Sequence, residues 1–383
     1  LVVQPDGKLV AAGDSSSFTN GNFEIDFALA RYNPDGSLDR SFGGDGRVCP
    51  NFGVQSAATA LVLQPDGKLV AAGSAAESFL ITTPGAVPAS DVLLARFNPN
   101  GSLDASFGAG GIVQTDFGRG EIATALVLQP DGKLVTVAVR LSGPSNNIVS
   151  DLILARHHPD GSLDASFGAG GFVVESGIFG SALVLQPDGK LVAAGGGAFR
   201  SGDQLFRFNP DGTLDTSFGD GGRVGPNFGG GSRFGALVLQ PDGKLVAAGN
   251  DLARFNPDSS LDTSFGAGGV VRTGSDTAEA LVLQPDGKLV AAGGRLSIQG
   301  SLLVFDLLLA RYHPDGSLDA SFGAGGLVME TRGGFGFGAA LVLQPDGRLV
   351  AADGRQLFRF NPDGTLDTSF GDGGRVGPLG GPR

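Results

Sequence analysis

Tryptophan is absent from the 383 residues, and cysteine and methionine occur once each. A single cysteine, Cys49, cannot close an intramolecular disulfide, so the chain is not a disulfide-stapled scaffold and cysteine use leaves the compartment open. Charged residues are only 17% of the chain, against about a quarter in ordinary domains. No apolar run approaches the roughly 18 residues of a spanning helix, so membrane insertion is not expected. Basic residues are scarce as well: the formal net charge is -12 and the pI near 4.6, which argues against nucleic acid or an anionic membrane as partner. The six lysines, Lys8, Lys68, Lys133, Lys190, Lys244 and Lys288, all occupy the same turn of a repeated phrase and form no phosphate-binding cluster. The chain opens at Leu1, without Met and inside that phrase, which reads as a processed or partial piece whose targeting segment lies elsewhere.

What is abundant is glycine, 66 residues, with 21 prolines and 41% hydrophobic content. That is the profile of many tight turns joining apolar segments, an all-β chain rather than a disordered one. One phrase, "LVLQPDGKLV" and its variants, starts at Leu1, Leu61, Leu126, Leu183, Leu237, Leu281 and Leu341. The spacings are 60, 65, 57, 54, 44 and 60 residues, so the chain is seven units of about 57 residues forming a single domain over 1–383. Each unit carries the phrase, a variable stretch, a second phrase such as "LLARFNPNGSLDASFGAGG" and a second variable stretch.

In the first phrase Pro65 pre-sets φ for the second turn position, Asp66 suits the third, and Gly67 accepts the positive φ of a type I turn with a G1 bulge. This hairpin sets Gln64 opposite Lys68, Leu63 opposite Leu69 and Val62 opposite Val70. Both faces are then apolar, so the strand pair must be covered on both sides, as a blade is between neighbouring blades.

The second phrase makes a similar turn and sets an arginine opposite an aspartate eight residues on. The pairs are Arg31 with Asp39, Arg96 with Asp104, Arg156 with Asp164, Arg207 with Asp215, Arg254 with Asp262, Arg311 with Asp319, and Arg359 with Asp367. Opposed charges on neighbouring strands attract, and the arginine fork suits a carboxylate. A feature present once per unit reads as structural ion pairing rather than as a binding ring. Truncating Asp104 would cost roughly 3–5 kcal/mol if the pairs are buried and about 0–1 kcal/mol if they are exposed.

Two hairpins per unit give four strands, and seven such units indicate a seven-bladed β-propeller. An open β-solenoid is the rival, but its coils are usually much shorter than this period. The run "LQPDGKLVAAG", then "LARFNPDGSLDTSFG" and a trailing "GGRV", resembles the delta-60 repeat, a bacterial propeller-repeat family of unknown function, over the whole chain. The resemblance implies a propeller in a bacterial envelope or extracellular protein, and no reaction or catalytic residues. If "GGRV" opens the following blade, Arg375 and Val376 pair with the Leu1 hairpin and clasp the termini, the arrangement expected here; otherwise each blade is complete by itself.

Strand direction alternates, so both repeated turns lie on one face of the disc and both variable stretches on the other. The variable loops expected to carry function are 14–26, 74–91, 139–151 and 294–306, whereas in the fifth unit only Asn250 and Asp251 intervene. All six glutamates (Glu24, Glu77, Glu121, Glu175, Glu279 and Glu330) fall in variable stretches, and an Asp commonly ends the first one: Asp26, Asp91, Asp151, Asp203, Asp251 and Asp306. The residues singled out for partner binding are Glu24, Asp26, Glu77, Asp91, Asp151 and Asp306, an acidic rim for a cation or a basic group. The competing reading is that these residues start strands and solvate loops.

No catalytic or metal residues are assigned. His157 and His158 are adjacent and would point to opposite faces of a strand, a poor geometry for zinc, and His158 and His313 read as turn variants. Calcium is unsupported, because the turns lack D-x-D-x-D-G spacing, and no cofactor is predicted. The "FGAGG" strings precede no helix, which removes a phosphate-loop reading. Phe42, Phe107, Phe167, Phe218, Phe265, Phe322 and Phe370 recur once per unit and are expected in the core. Tyr32 and Tyr312 sit at repeated positions, which leaves a tyrosine nucleophile unsupported. The sequence thus points to a monomeric, non-catalytic binding or structural scaffold for a protein or glycan partner. The alternative is a propeller hydrolase or lyase with loop carboxylates at the centre of the variable face.

Overall fold

The computed structural model describes residues 1–19, 22–76, 89–118, 120–142, 149–196, 204–225, 234–273, 277–299, 302–330 and 339–377. The fold is a seven-bladed β-propeller: seven four-stranded antiparallel sheets, each with its strands paired in chain order. Blade 1 is Val2–Val3, Leu9–Thr19, Asn22–Tyr32 and Arg47–Val48, and blade 7 is Ala340–Leu343, Leu349–Ala352, Leu357–Phe360 and Arg375–Val376. First strands of successive blades approach one another around the ring, so the first strand of each blade is the innermost. No helix among the described residues is long and apolar enough to cross a membrane.

The first hairpin has the expected register, with Val62 opposite Val70 and Leu63 opposite Leu69. Gln64 donates its amide to the Lys68 carbonyl, Gly67 donates to the Gln64 carbonyl, and Gly67 has φ of 83°. Both faces of each sheet are buried against neighbours. Leu29 and Val10 of blade 1 pack with Leu69 and Ala95 of blade 2, and Val70 and Leu94 of blade 2 pack with Leu134 and Ala155 of blade 3. The recurrent phenylalanines from Phe42 to Phe370 are all 0% exposed; burying each such ring contributes about 1.5–3 kcal/mol.

The second hairpin keeps its expected register, the Asn33 amide donating to the Ser37 carbonyl and the Asp39 amide to the Arg31 carbonyl, but it is shorter than expected and the closure differs. Tyr32 and Leu38 do face each other, but only as a single bridge, after which the Asp39 carbonyl accepts the Phe42 amide and the chain turns away. The outer edge of the third strand is taken instead by the "GGRV" segment: Arg31 donates its amide to the Gly46 carbonyl, and Ala30 pairs with Arg47. "GGRV" is therefore the fourth strand of its own blade. Arg375 and Val376 pair with Phe358 and Leu357, so the expected clasp of the two termini does not form. The ring is closed by side-chain packing and turn contacts between blades 7 and 1, where Leu9, Ala30 and Tyr32 meet Val350, Leu357 and Phe370.

Four strands per blade place both repeated turns on one face and both variable connections on the other. Two of the expected loops are sheet rather than loop. In blade 1 the second and third strands run on to Thr19 and Asn22, and in blade 6 to Gln299 and Leu302, making two projecting hairpins. Between them stands blade 7, whose second and third strands end at Ala352 and resume at Leu357.

Candidate functional site

On the constant face the seven arginines are bound in one repeated arrangement. The guanidinium Nε donates to the aspartate Oδ2 at 2.6–2.8 Å in every unit. In blade 2 the Arg96 Nη2 donates to the Ser106 hydroxyl, which itself donates to Asp104 Oδ1 at 2.7 Å. Lys68 reaches across from the first turn to Asp104 at 3.0 Å, and the Phe107 ring lies 4.6 Å from the guanidinium carbon. Arg96 Nη1 donates to the Pro159 carbonyl of blade 3 at 2.5 Å, and Gly108 donates its amide to Asp160 there. The same two bonds run from Arg359 to Pro34 and from Gly371 to Asp35, so the joint across the termini is built like the others. The Ser106 hydroxyl, Lys68 and Arg96 hold the Asp104 carboxyl well below the usual carboxylate range, against the opposing effect of burial. Arg96 and Asp104 are both 7% exposed, which settles the pairs as buried.

The variable face is organised differently from joint to joint. Between blades 2 and 3, Asp91 lies in a third strand (Ser90–Phe97), Asp116 follows the fourth (Ile112–Thr115), and Glu121 begins the next first strand (Glu121–Leu128). One carboxylate oxygen of each lies within 4.8 Å of the others. Asp91 accepts a bond from Gln114 Nε2 at 2.7 Å, Asp116 accepts one from the Gly118 amide at 2.7 Å, and the Ser90 hydroxyl donates to the Glu121 carbonyl at 2.8 Å. Asp116 is exposed, Asp91 half-buried and Glu121 buried. Three carboxylates so close favour a cationic group among them, and they could supply part of the oxygen shell of a divalent ion, which in calcium takes about 6–8 ligands.

Of the residues singled out in sequence, Asp91 stands in this corner, while Asp116 and Glu121 complete it. Glu24 is exposed and Asp26 half-buried on the blade 1 hairpin, one blade before the corner and not part of it. Asp151 is buried and accepts Arg140 Nη2 at 2.7 Å, and Asp306 is 3% exposed, so both serve their own blades rather than a rim. Glu77 and Asp203 lie outside the described residues. Three other glutamates cross joints: Glu175 accepts Arg223 of blade 4 and Glu330 accepts Arg375 of blade 7, each at 2.5 Å, and Glu279 of blade 6 accepts the Ala339 amide at 2.7 Å. Asp116 was legible only as a connector residue, because nothing in its spacing ties it to Asp91.

The seven units coincide with the segments matched by a family described as "Domain of unknown function (DUF5122) beta-propeller", at residues 4–42, 85–107, 129–167, 186–218, 240–265, 284–322 and 344–370. The chain belongs to this family. The matched segments centre on the repeated turns and strands of each DUF5122 unit, and the acidic corner falls mostly between them. No curated protein matches the chain. Among solved structures, a protein from Lactobacillus plantarum is similar at 13% identity, with 96% of this chain and 98% of that chain covered and a TM-score of 0.51. A gluconolactonase from Xanthomonas campestris is similar at 14% identity, 75% and 87% coverage and a TM-score of 0.36. A mannose phosphorylase from Leishmania mexicana follows at 10% identity, 85% and 88% coverage and a TM-score of 0.37. At such identities the likeness of this DUF5122 propeller extends to the fold alone.

Proposed function

We propose that the propeller is a non-catalytic binding scaffold whose variable face meets a protein or glycan partner, with the acidic corner at Asp91, Asp116 and Glu121 receiving a basic group. One observation carries the reading. The repeat's own charged side chains are tied into internal bonds blade after blade on the constant face, whereas among the described residues three carboxylates converge on the variable face at one joint. The projecting hairpins of blades 1 and 6 add to the asymmetry of that face. The likeness of the repeat to delta-60 sequences supports an envelope or extracellular location. The alternative, a hydrolase or lyase, would place its carboxylates near the axis, among the first strands; of the three only Glu121 begins a first strand, whereas Asp91 lies in the third strand of blade 2 and Asp116 follows its fourth.

The test is a pull-down from bacterial envelope extract with the native chain and two variants. One has residues 74–91 shortened to the two-residue connection of blade 5; the other is D91N/D116N. Loss of the same retained partner from both supports the reading, and equal retention by all three chains defeats it.

A further inference from the structure

The joint between blades 5 and 6 contains a cavity of about 240 Å³ walled chiefly by Leu252, Val271, Leu308, Ala310, Leu318 and Leu327. Arg272, Thr277 and Leu318 among its lining residues are exposed, so the cavity reaches the surface. Five other joints hold a bulky apolar group in the corresponding region. Phe117 joins the cluster of Leu94, Ala123, Ile153 and Ala155, whose positions in the repeat are those of Leu252, Ala278, Leu308 and Ala310. Phe27 and Phe52 meet edge to face at 5.8 Å between blades 1 and 2, and Phe234 is 1% exposed between blades 4 and 5. In blades 4 and 7 the residue at the Ala310 position is itself phenylalanine, Phe206 and Phe358. At the blade 5 to 6 joint the connector 273–276 reads "TGSD", with no apolar side chain to contribute, and position 310 is alanine.

We infer that this cavity is a binding site for a small neutral aromatic molecule. Its walls are mainly aliphatic, with Tyr312 among them, and a phenyl ring is what the same fold accommodates in the corresponding region of five other joints. The volume exceeds the roughly 150 Å³ of an apolar protein cavity that takes up benzene. The polar groups at its mouth are already bonded within the chain, Arg272 and the Thr273 amide to Asp251 and the Thr277 hydroxyl to the Gly294 carbonyl, so a neutral ligand is favoured over a charged one. This site is separate from the partner contacts proposed above and stands or falls independently of them.

The experiment is a fluorine NMR titration with 4-fluorobenzyl alcohol on the full chain, the A310F variant and the T277F variant. A310F supplies the ring that blades 4 and 7 already carry, and T277F places one at the mouth, so either folded variant decides the matter. Saturable binding to the native chain that weakens at least about tenfold, equivalent to ~1.4 kcal/mol, in the folded variants supports the site. An A310F chain that also melts at higher temperature strengthens it. Absence of saturable binding to the native chain, or equal affinity in the folded variants, overturns it.

Discussion

The two faces of the disc are made by the same strands and behave in opposite ways. On the constant face, Arg96, Asp104, Ser106, Lys68 and the Pro159 carbonyl form a closed set of bonds that recurs in every unit with little change. On the variable face the connections range from two residues in blade 5 to the eleven-residue strands of the blade 1 hairpin, and the acidic corner between blades 2 and 3 has a different arrangement from the Glu175–Arg223 and Glu330–Arg375 pairs that two other joints share. The constant face spends its polar side chains on joining blades, which leaves the other face free to differ without loss of the ring. Aspartate is used on both faces. Whether it is bonded into the scaffold or set among other carboxylates decides what its removal does.

The largest expected effect comes from breaking the constant lattice. Asp104→Ala strands the Arg96 guanidinium, a buried charge with Lys68 beside it, and should destabilise by roughly 3–5 kcal/mol. Thermal denaturation checks this, and an unchanged melting temperature would show that the lattice is decoration. Acid should act on the lattice as well. Native carboxyls of the Asp104 type are held below their unfolded pKa, so their stabilisation is full above the unfolded value and lost as pH falls through the folded one.

The next effect tests a departure inside the constant pattern. His157 takes the position of Phe97, Phe208, Phe255 and Phe360, is 0% exposed, and neither ring nitrogen has a bond partner among the described residues. Burial, with His158 adding to it, lowers its pKa to about 4 from 6.5. Between those values the unfolded chain binds the proton and the native chain does not, so stability falls as pH is lowered through that window. His157→Phe should stabilise at all pH values, and the gain at about pH 5 should exceed that at about pH 7.5 by about 2 kcal/mol. Urea unfolding at the two pH values measures the difference, and a pH-independent gain would mean that the imidazole titrates alike in the folded and unfolded chain.

A smaller effect concerns Ser259, the non-glycine residue with positive φ, 75°, among the described residues. The other units have glycine there, and the Gly108 amide of blade 2, for example, bonds the Asp160 carbonyl of blade 3 just before that glycine. Ser259 instead offers its hydroxyl to the Gly219 amide at 2.8 Å. Ser259→Gly relieves a left-handed non-glycine residue and lets the preceding carbonyl take over the bond, for a net gain of about 0.5 kcal/mol. A loss of stability would mean that the hydroxyl is the better acceptor.

The constant face was largely legible in the chain and the variable face was not, for a physical reason. A side-chain period of two and a Pro-Asp-Gly turn fix the register of Val62 with Val70 locally, and the arginine and aspartate of one hairpin lie eight residues apart. The second phrase offers its "SLDRSFG" run (37–43) as a fourth strand because it carries strand-forming residues. Its course depends on Asp39 holding Ser41 through its side chain and Phe42 through its carbonyl, which bends the chain away after one bridge. The acidic corner was beyond reading because Asp91, Asp116 and Glu121 come from three strands or connections of two blades, and only the ring brings them together.

The smallest effect on stability sharpens the comparison most. Asp116→Asn keeps the oxygen that accepts the Gly118 amide, removes one of three crowded charges, and leaves an exposed position. Its effect on unfolding should stay within about 0.5 kcal/mol, in either direction, where Asp104→Ala costs several. If the two faces divide labour as proposed, the same D116N chain should unfold like the native protein and yet lose affinity for a basic partner in the pull-down. A large destabilisation would instead assign the corner to the scaffold, making it an eighth variant of the bonds that hold the constant face together.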